Sequence, residues 1–184
     1  PVIILGGIYG GIFTPTEAAG IGAGGGLVFL LARQGFDWRM LRTILVPLDG
    51  SDTAQRGLQE ALGLAKAFDS SLVLLHVVEY YPMMMEMATA TTWEMVTTDL
   101  RKQGEQVLGR AHDAAKPAGV ASEAHLEDAA AARVCDVIVD QAREHQCDLI
   151  VMGTHGRRGI EHAMVGSDAE RVIRMSPVPL LLAH

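Results

Sequence analysis

Lysine is scarce in this sequence. Only three lysines, Lys66, Lys102 and Lys116, occur among 184 residues that carry a formal net charge of −7. Proteins that bind duplex nucleic acid neutralise its phosphates with clustered lysine and arginine side chains. No such basic stripe is visible here. Nucleic acid is therefore not an expected partner.

Cysteine is also rare, and its spacing excludes two kinds of site. Cys135 and Cys147 lie twelve residues apart, without a CxxC pair or paired histidines. This pattern predicts neither a zinc finger nor a disulfide framework, and it fits small apolar side chains in a reducing cytosol. The first residue is Pro1, which predicts a fragment or a processed product. The apolar start also lacks the basic region of a secretory signal.

Two familiar catalytic motifs are missing. The chain contains no GxxxxGK[ST] phosphate loop and no GxSxG nucleophile elbow. A motor ATPase, a P-loop kinase or an α/β-hydrolase is therefore not expected.

Glycine is concentrated at the start of the chain. Ten of the 20 glycines fall within residues 1–35, and residues 18–32 carry no charge. This apolar stretch is shorter than the roughly 20 residues that span a bilayer, and each glycine costs a soluble helix about 1 kcal/mol. A GxGxxG pattern begins at Gly20, but no strand precedes it, so a dinucleotide site is not predicted. The spacing of Gly6 and Gly10 instead favours close packing of membrane helices.

The same region resembles a transporter. The stretch "PVIILGGIYGGIFTPTEAA", residues 1–19, and "FDWRML", residues 36–41, resemble the last part of the large membrane subunit of TRAP-type (tripartite ATP-independent periplasmic) transporters. That subunit has many more membrane spans, so transport by this chain alone is not expected. The resemblance divides the chain into an apolar segment, 1–40, and a second domain, 41–184.

Residues 41–184 alternate between strand-like and helix-like patterns. Apolar runs occur at 43–48, 71–78, 148–152 and 178–183, and 120–126 is a weaker strand candidate. Helical periodicity occurs at 54–68, 93–116, 129–145 and 167–175. Strands that are hydrophobic throughout and alternate with helices predict an α/β fold, with a parallel sheet covered on both faces. Pro179 predicts that the last strand lies at a sheet edge, because proline cannot donate to a central ladder.

Two loops of this domain carry candidate binding chemistry. "PLDGSD", residues 47–52, follows the first strand, and a second loop after the fourth strand has the spacing Gly153-x2-Gly156-x9-Gly166-Ser167. Glycines there would let backbone N–H groups curve around an anion, and a helix N-terminus favours negative charge. Each loop alone is more typical of an ordinary turn and helix cap than of a binding site, and Ser167 and Glu170 match a capping box. The two loops together favour a phosphate-bearing ligand.

The charged and imidazole side chains near these loops leave alternatives open. Arg157 and Arg158 are either phosphate ligands or solvated, and they would offset the negative charge of Asp168. His155 could donate a hydrogen bond to a phosphate, although a supporting role in the loop is favoured over catalysis. His76 falls in a strand and is predicted to be a core histidine with its hydrogen bonds satisfied.

Four stretches together indicate a family. "ILVPLDGS", "LLHVV", "DLIVMGTHGRRG" and "MVGSDAERVIRMSPVPLLL" resemble the universal stress protein (UspA-type) family over residues 41–184. The resemblance implies a three-layer α/β sandwich with a five-stranded parallel sheet in the order 3-2-1-4-5. It also implies a cytoplasmic homodimer formed through the last strand. The glycine motif is that of the branch that binds ATP, with magnesium as a companion.

Carried over by position, the resemblance assigns roles to several residues. The loop after the first strand would contact the adenosine, the main chain of Val77 would hold the adenine edge, and the glycine loop would contact the ribose and phosphates. His155 and Arg157 are added because they lie in the glycine loop. The predicted binding residues are therefore Pro47, Leu48, Asp49, Val77, Met152, Gly153, His155, Gly156, Arg157, Gly166, Ser167 and Asp168.

These observations predict a nucleotide-sensing regulatory module, located in the cytoplasm or at the inner face of the membrane and linked to a TRAP-type transporter. The SGGxDS loop of related ATP pyrophosphatases and the HIGH motif of nucleotidyl transferases are absent. A site that binds ATP equally well in its ground and transition states gains affinity rather than rate. Two alternatives remain, a slow ATP hydrolase and a dimeric interaction protein. The latter would use the methionine-rich segment "YYPMMMEMATATTW", residues 80–93, as its surface.

Overall fold

The computed structural model describes residues 41–80, 89–129, 132–156 and 166–183. The chain divides into two units, 1–38 and 39–184, and every described residue lies in the second unit. Several features singled out in the sequence lie outside the described residues: the transporter-like segment 1–40, the methionine cluster at 83–87, and Arg157, Arg158 and His162.

Five strands alternate with four helices along the described chain. Their bounds are β1 Thr43–Pro47, α1 Asp52–Phe68, β2 Ser71–Val78, α2 Ala90–Ala118, β3 Ser122–Asp128, α3 Val134–Glu144, β4 Leu149–Gly153, α4 Ser167–Met175 and β5 Leu180–Ala183. This order confirms the predicted alternation.

The strands form one parallel sheet in the order β3-β2-β1-β4-β5. This is the order that the resemblance implies. The chain proceeds outward from β1 to β3 on one side and then returns to β4 and β5 on the other. The order therefore reverses between β1 and β4, where open α/β sheets bind ligands at the carboxyl ends of their strands.

Both faces of the sheet are buried at its central strands, β1, β2 and β4. Leu45 of β1 and Val73 of β2 pack with Ile138 of α3 and Val172 of α4 in one apolar cluster. Alternate strand residues point to the opposite face, and buried residues of α1, including Leu58 and five others, form a continuous apolar stripe. These two layers of helices explain why β1, β2 and β4 are largely apolar rather than alternating. The edge strand β3 is polar, and two of its seven residues are exposed.

The last strand lies at an edge, as Pro179 predicted. The strand begins at Leu180, and Pro179 precedes it and contributes only its carbonyl oxygen, which accepts a hydrogen bond from the backbone N–H of Ile150 at 3.1 Å. The proline therefore marks the entry to the strand instead of lying within it.

The predicted start of α3 was wrong. Helical periodicity suggested a helix from Ala129, whereas α3 begins at Val134. The backbone N–H of Ala129 donates to the carbonyl of Val78 at 2.9 Å and so continues the hydrogen bonding of β2 with β3. At Ala129, sheet pairing therefore overrides the high helix propensity of alanine.

Among the described residues, no helix is both long enough and apolar enough to cross a membrane.

Candidate functional site

The loop that follows β1 is held in a tight turn by its own polar side chains. The Asp49 carboxylate accepts hydrogen bonds from the backbone N–H of Ser51 at 2.9 Å and from its hydroxyl at 2.6 Å. Gly50 has a φ of +86°, which an L side chain rarely adopts. The Ser51 hydroxyl in turn accepts from the N–H of Ala54 at 3.2 Å and caps α1, as predicted.

The turn is also fastened to β2. The backbone N–H of Leu48 donates to the carbonyl of Leu75 at 2.7 Å, and the carbonyl of Leu48 lies 2.7 Å from Nδ1 of His76. The His76 side chain is buried. It is thus the core histidine with a satisfied hydrogen bond that the sequence predicted, and it positions the β1 loop.

The loop that follows β4 contacts the β1 loop. A Cβ atom added to Gly156 would lie 2.8 Å from Oδ2 of Asp49, so the main chain at Gly156 passes directly beside that carboxylate. The hydroxyl of Thr53, in the first turn of α1, donates a hydrogen bond to the carbonyl of His155. The structure therefore brings Asp49, His155 and Gly156 together, as the sequence predicted for two neighbouring strands.

Gly153 permits a second close approach. An added Cβ atom would lie 2.8 Å from the carbonyl carbon of Thr53 and 2.9 Å from the backbone nitrogen of Ala54. Real Cβ atoms essentially never come this close to main-chain atoms. The end of β4 therefore lies against the first turn of α1 only because residue 153 has no side chain.

The N-terminus of α4 joins the same loop. The backbone N–H of Gly166 donates to the carbonyl of Thr154 at 2.8 Å, and the N–H of Thr154 donates to the carbonyl of Ala183 in β5 at 2.8 Å. Gly153, Gly156 and Gly166 therefore lie at one end of the sheet although up to thirteen positions separate them in the chain.

The predicted capping box of α4 was wrong. Gly166 is the N-cap, Ser167 is the first helical residue, and no side chain caps the helix. Instead, Oε1 of the Glu170 carboxylate accepts a hydrogen bond from the guanidinium of Arg174 at 2.6 Å. The first N–H groups of a helix have no carbonyl partner within the helix, and their dipoles favour a negative charge. The exposed Ser167 hydroxyl stands beside these groups.

The remaining predicted residues lie around the same end of the sheet, at the carboxyl ends of its strands. Pro47 ends β1, Met152 is buried in β4, and Val77 is partly buried in β2. Asp168 is exposed in the first turn of α4. Arg157 lies outside the described residues, so the described part of the predicted set has carboxylates but neither arginine nor lysine.

Both cysteines are buried and unlinked, as the sequence predicted. Burial raises the pKa of the Cys135 thiol, and the carboxylates of Asp136 and Asp168 raise it further. Burial also raises the pKa of Cys147 to about 12. Neither thiol has the depressed pKa of a reactive cysteine.

A cavity of about 330 Å³ lies beside the β1 loop, between α1 and α2. Leu48, Ser51, Val107 and Arg110 are among its lining residues. Of the predicted binding residues only Leu48 lines it, so this cavity is not the space between the glycine loop and Asp49.

The described residues form a doubly wound parallel α/β domain, in which two loops meet where the strand order reverses. Within this fold class, the profile of the universal stress protein family matches residues 40–184, and the chain belongs to that family.

Known proteins agree with this assignment. A universal stress protein of Methanocaldococcus jannaschii is 32% identical over 143 residues, which cover 78% of this chain and 82% of the relative. A solved structure of the family from Burkholderia pseudomallei is 32% identical, with a TM-score of 0.64 over 78% of this chain and 96% of that chain. A universal stress protein solved in complex with cAMP is 27% identical, with a TM-score of 0.56 over 78% and 97% of the two chains. The predicted family and fold are thereby confirmed, and the roles of the individual residues stay predictions.

Proposed function

We propose that residues 41–184 bind an adenine nucleotide, preferentially ATP, and act as a nucleotide-sensing regulatory module. One observation carries the proposal: the Asp49 turn and the Gly153–Gly156 loop meet at the switch point between β1 and β4, and the N-terminus of α4 is hydrogen-bonded to the same loop. The solved relative that binds cAMP supports an adenine nucleotide as the ligand class.

Backbone N–H groups are the main anion-binding groups of the described site. The N-terminal turn of α4 offers them to a phosphate, with the Ser167 hydroxyl as an additional donor. The carboxylates of Asp49 and Asp168 would repel that phosphate at neutral pH. A magnesium ion bound to phosphate oxygens would reverse this repulsion, because carboxylates and phosphates are its preferred ligands. We therefore expect Mg²⁺ to strengthen binding.

The site supports binding more than hydrolysis. Nδ1 of His155 lies 3.0 Å from the hydroxyl of Thr154, and the carbonyl of His155 is bonded to Thr53. Both contacts fix the loop, which fits the supporting role predicted for this histidine. Slow hydrolysis of ATP is the second candidate function, since Asp49 lies beside the glycine loop.

A denaturation experiment tests the proposal first. One sample of the purified chain is denatured, and the released small molecules are identified against nucleotide standards. A second sample, freed of bound nucleotide, is titrated with ATP, ADP, AMP and cAMP, with and without Mg²⁺. We expect ATP to bind most tightly and Mg²⁺ to increase its affinity. Absence of released nucleotide, together with no binding heat for any of the four, would overturn the proposal and favour the interaction-protein alternative.

Ser167→Ala is the most informative variant. The side chain is exposed and caps no helix, so its loss should leave the fold intact. A hydrogen bond to a charged group contributes about 1.5–3 kcal/mol, so we expect the ATP affinity to fall roughly 10- to 150-fold. Thr97→Ala removes an exposed hydroxyl that bonds only its own helix, and it should bind ATP as the parent does. Equal affinity in both variants would remove Ser167 from the site.

Hydrolysis is measured on the same samples. Steady release of ADP or AMP that Asp49→Ala abolishes would establish the hydrolase, whereas stable bound ATP over many hours would support the regulatory module. Asp49→Asn is the matched variant, because its amide oxygen can still accept the hydrogen bonds from Ser51.

We extend the proposal to a homodimer formed through β5. This strand lies at the edge of the sheet, and three of its four side chains, Leu180 to Leu182, are only partly buried. An edge of unpaired backbone groups with apolar side chains can pair with a second copy. Sedimentation of the chain and of Leu181→Lys tests this extension. A dimer that the lysine variant dissociates is expected, and a monomeric parent would contradict it.

The link to a TRAP-type transporter rests on the sequence of residues 1–40. We propose that the nucleotide state of the second domain modulates uptake by such a system. Uptake is assayed in cells that carry the whole transport system, with and without residues 41–184. Unchanged uptake and an unchanged response to cellular ATP would overturn this link without affecting the nucleotide site.

A further inference from the structure

We propose that Glu123, His125 and His145 form a binding site for a divalent transition-metal ion, with zinc as its first candidate. The nitrogen and oxygen atoms that these side chains can offer lie within 4.8 Å of one another. None of these three side chains belongs to the predicted nucleotide-binding residues.

Two of the three residues share one face of a strand. Glu123 and His125 are two positions apart in β3, so their side chains project to the same side of the sheet. They pair in register with Val73 and Leu75 of β2, which belong to the apolar cluster closed by α3 and α4. The pair therefore faces the helix layer that carries His145.

The third residue comes from the end of α3. His145 is the C-cap of this helix, and its ring centroid lies 4.2 Å from that of His125. The chain enters β4 four residues later, so His145 lies toward the amino ends of the strands. The proposed metal site thus lies on the edge strand β3, whereas the proposed nucleotide site lies between β1 and β4.

His125 has a nitrogen in need of a partner. Its Nε2 atom is buried and makes no hydrogen bond among the described residues. The closest acidic oxygen, Oε2 of Glu123, is 3.6 Å away, which is too long for a hydrogen bond. A buried imidazole nitrogen without a hydrogen bond is unfavourable. A cation between the two groups would satisfy both.

The neighbours of His145 fix its ring for this role. Nε2 of Gln141 donates to the Glu144 carboxylate at 2.8 Å, which leaves Oε1 of Gln141 facing Nε2 of His145 at 3.2 Å. Because Oε1 is an acceptor, it favours the neutral tautomer of His145 with the hydrogen on Nε2, which leaves the lone pair on Nδ1 for a metal. Histidine ligands of metals commonly donate their other N–H in this way, which sets the tautomer and the orientation of the ring.

The donor set selects the class of metal. Two imidazole nitrogens and one carboxylate suit Zn²⁺, Co²⁺, Ni²⁺ or Cu²⁺ better than Ca²⁺ or Mg²⁺, which take oxygen ligands. Ligands at about 2.0–2.2 Å in a tetrahedral arrangement lie roughly 3.4 Å from one another. The 3.6 Å between Glu123 and His125 is already close to this value. The exposed Glu123 side chain can turn to complete the set, with water in the fourth position.

Metal titration of the full chain, freed of nucleotide and of metal, tests the proposal. Zn²⁺ is titrated in competition with a chromogenic chelator, and Co²⁺ is added separately because its visible absorption reports the ligand geometry. The variants are Glu123→Gln, His125→Gln and His145→Gln. The matched control is His112→Gln, which removes a histidine that is bonded to Ser122 and lies outside the cluster.

We expect one equivalent of Zn²⁺ to bind with a tetrahedral Co²⁺ spectrum. Each of the three variants should weaken binding by more than about 10-fold, since loss of a mere outer-shell partner already has an effect of that size. The control should bind as the parent does. Circular dichroism of the metal-free variants checks their fold, and the exposed Glu123 provides a variant that cannot disturb the core.

Two results would overturn the proposal. One is the absence of a Zn²⁺ equivalent in the parent chain. The other is binding that all three variants retain at parental affinity, which would place the ion on other histidines. Because nucleotide is absent from the assay, failure here leaves the proposed function untouched, and failure of ATP binding leaves the metal site untouched.

Discussion

Gly153→Ala should destabilise the fold although it adds a single methyl group. The new Cβ atom would lie 2.8–3.0 Å from three atoms of Thr53 and Ala54, two of them in the main chain. Main-chain atoms at the start of a capped helix cannot turn aside as the end of a flexible side chain can. Either α1 or the end of β4 must therefore move by several tenths of an ångström.

The size of the effect follows from this overpacking. Extra methyl groups in a well-packed site typically cost about 1–3 kcal/mol. For a protein of about 150–250 residues, each kcal/mol lowers the melting temperature by roughly 2–4 °C. We therefore expect Gly153→Ala to melt about 2–12 °C below the parent, measured by circular dichroism without added nucleotide.

Gly63→Ala is the matched control with the opposite sign. Gly63 is an exposed helical residue of α1, and an added Cβ atom would meet nothing within 4 Å. Alanine is favoured over glycine in a helix by about 1 kcal/mol, so this variant should melt slightly above the parent. If both variants were neutral, or if Gly153→Ala were as stable as Gly63→Ala, the close approach of β4 and α1 would be refuted. The result also bears on function, because loss of ATP binding in a Gly153 variant reports a ligand contact only when the fold is retained.

Three further predictions concern the loops and the buried groups around them. Thr53→Val removes the hydrogen bond to the carbonyl of His155 and should cost about 0.5–1.5 kcal/mol in urea unfolding, whereas an unchanged midpoint would show that this contact is not formed in solution. His76→Leu leaves the carbonyl of Leu48 without its imidazole partner and should cost about 1–3 kcal/mol; a cost no greater than that of His112→Leu would contradict the anchoring role of His76. Burial raises the pKa of Cys147 from 9.0 to about 12. Its alkylation by iodoacetamide at pH 8.5 should therefore be roughly 10²- to 10³-fold slower in the native chain than in urea. The Cys135→Ser variant is used for this assay, so that only Cys147 can react. Because the folded pKa is raised, the unfolded chain loses its proton first. The stability contributed by the protonated thiol is thus complete below pH 9.0 and is lost as the pH rises toward 12. Equal alkylation rates in the native and unfolded chains would refute the burial of this thiol.

The sequence predicted the helices and strands well where hydrophobic periodicity is regular. The run from Ser71 to Val78 was located residue for residue, and α1 and α4 were located to within two residues. The prediction was wrong where two local signals compete. The alanines after β3 have high helix propensity, but the N–H of Ala129 is taken by the sheet. Ser167 and Glu170 match a capping box, but the chain enters α4 with Gly166 as its cap.

Part of the candidate site could be predicted from local chemistry. The Asp49 turn, the Ser51 cap and the glycine spacing are properties of short segments, and they were visible in the sequence. Contacts between segments were not. The hydrogen bond from Thr53 to His155 joins residues 102 positions apart. A threonine beside a serine cap carries no sign of such a partner.

The cluster of Glu123, His125 and His145 shows the same division most clearly. A Glu-x-His pair in a weak strand and a histidine after a helix are each unremarkable, and metal-binding motifs are recognised by short spacings that this set lacks. Local patterns were enough to predict the alternation of strands and helices, the parallel sheet and the glycine-containing loops, because these depend on periodicity and on backbone chemistry over a few residues. Which side chains meet depends instead on contacts between distant segments of the folded chain. The strand order 3-2-1-4-5 places Gly156 beside Asp49, and the return of the chain through α3 places His145 against β3.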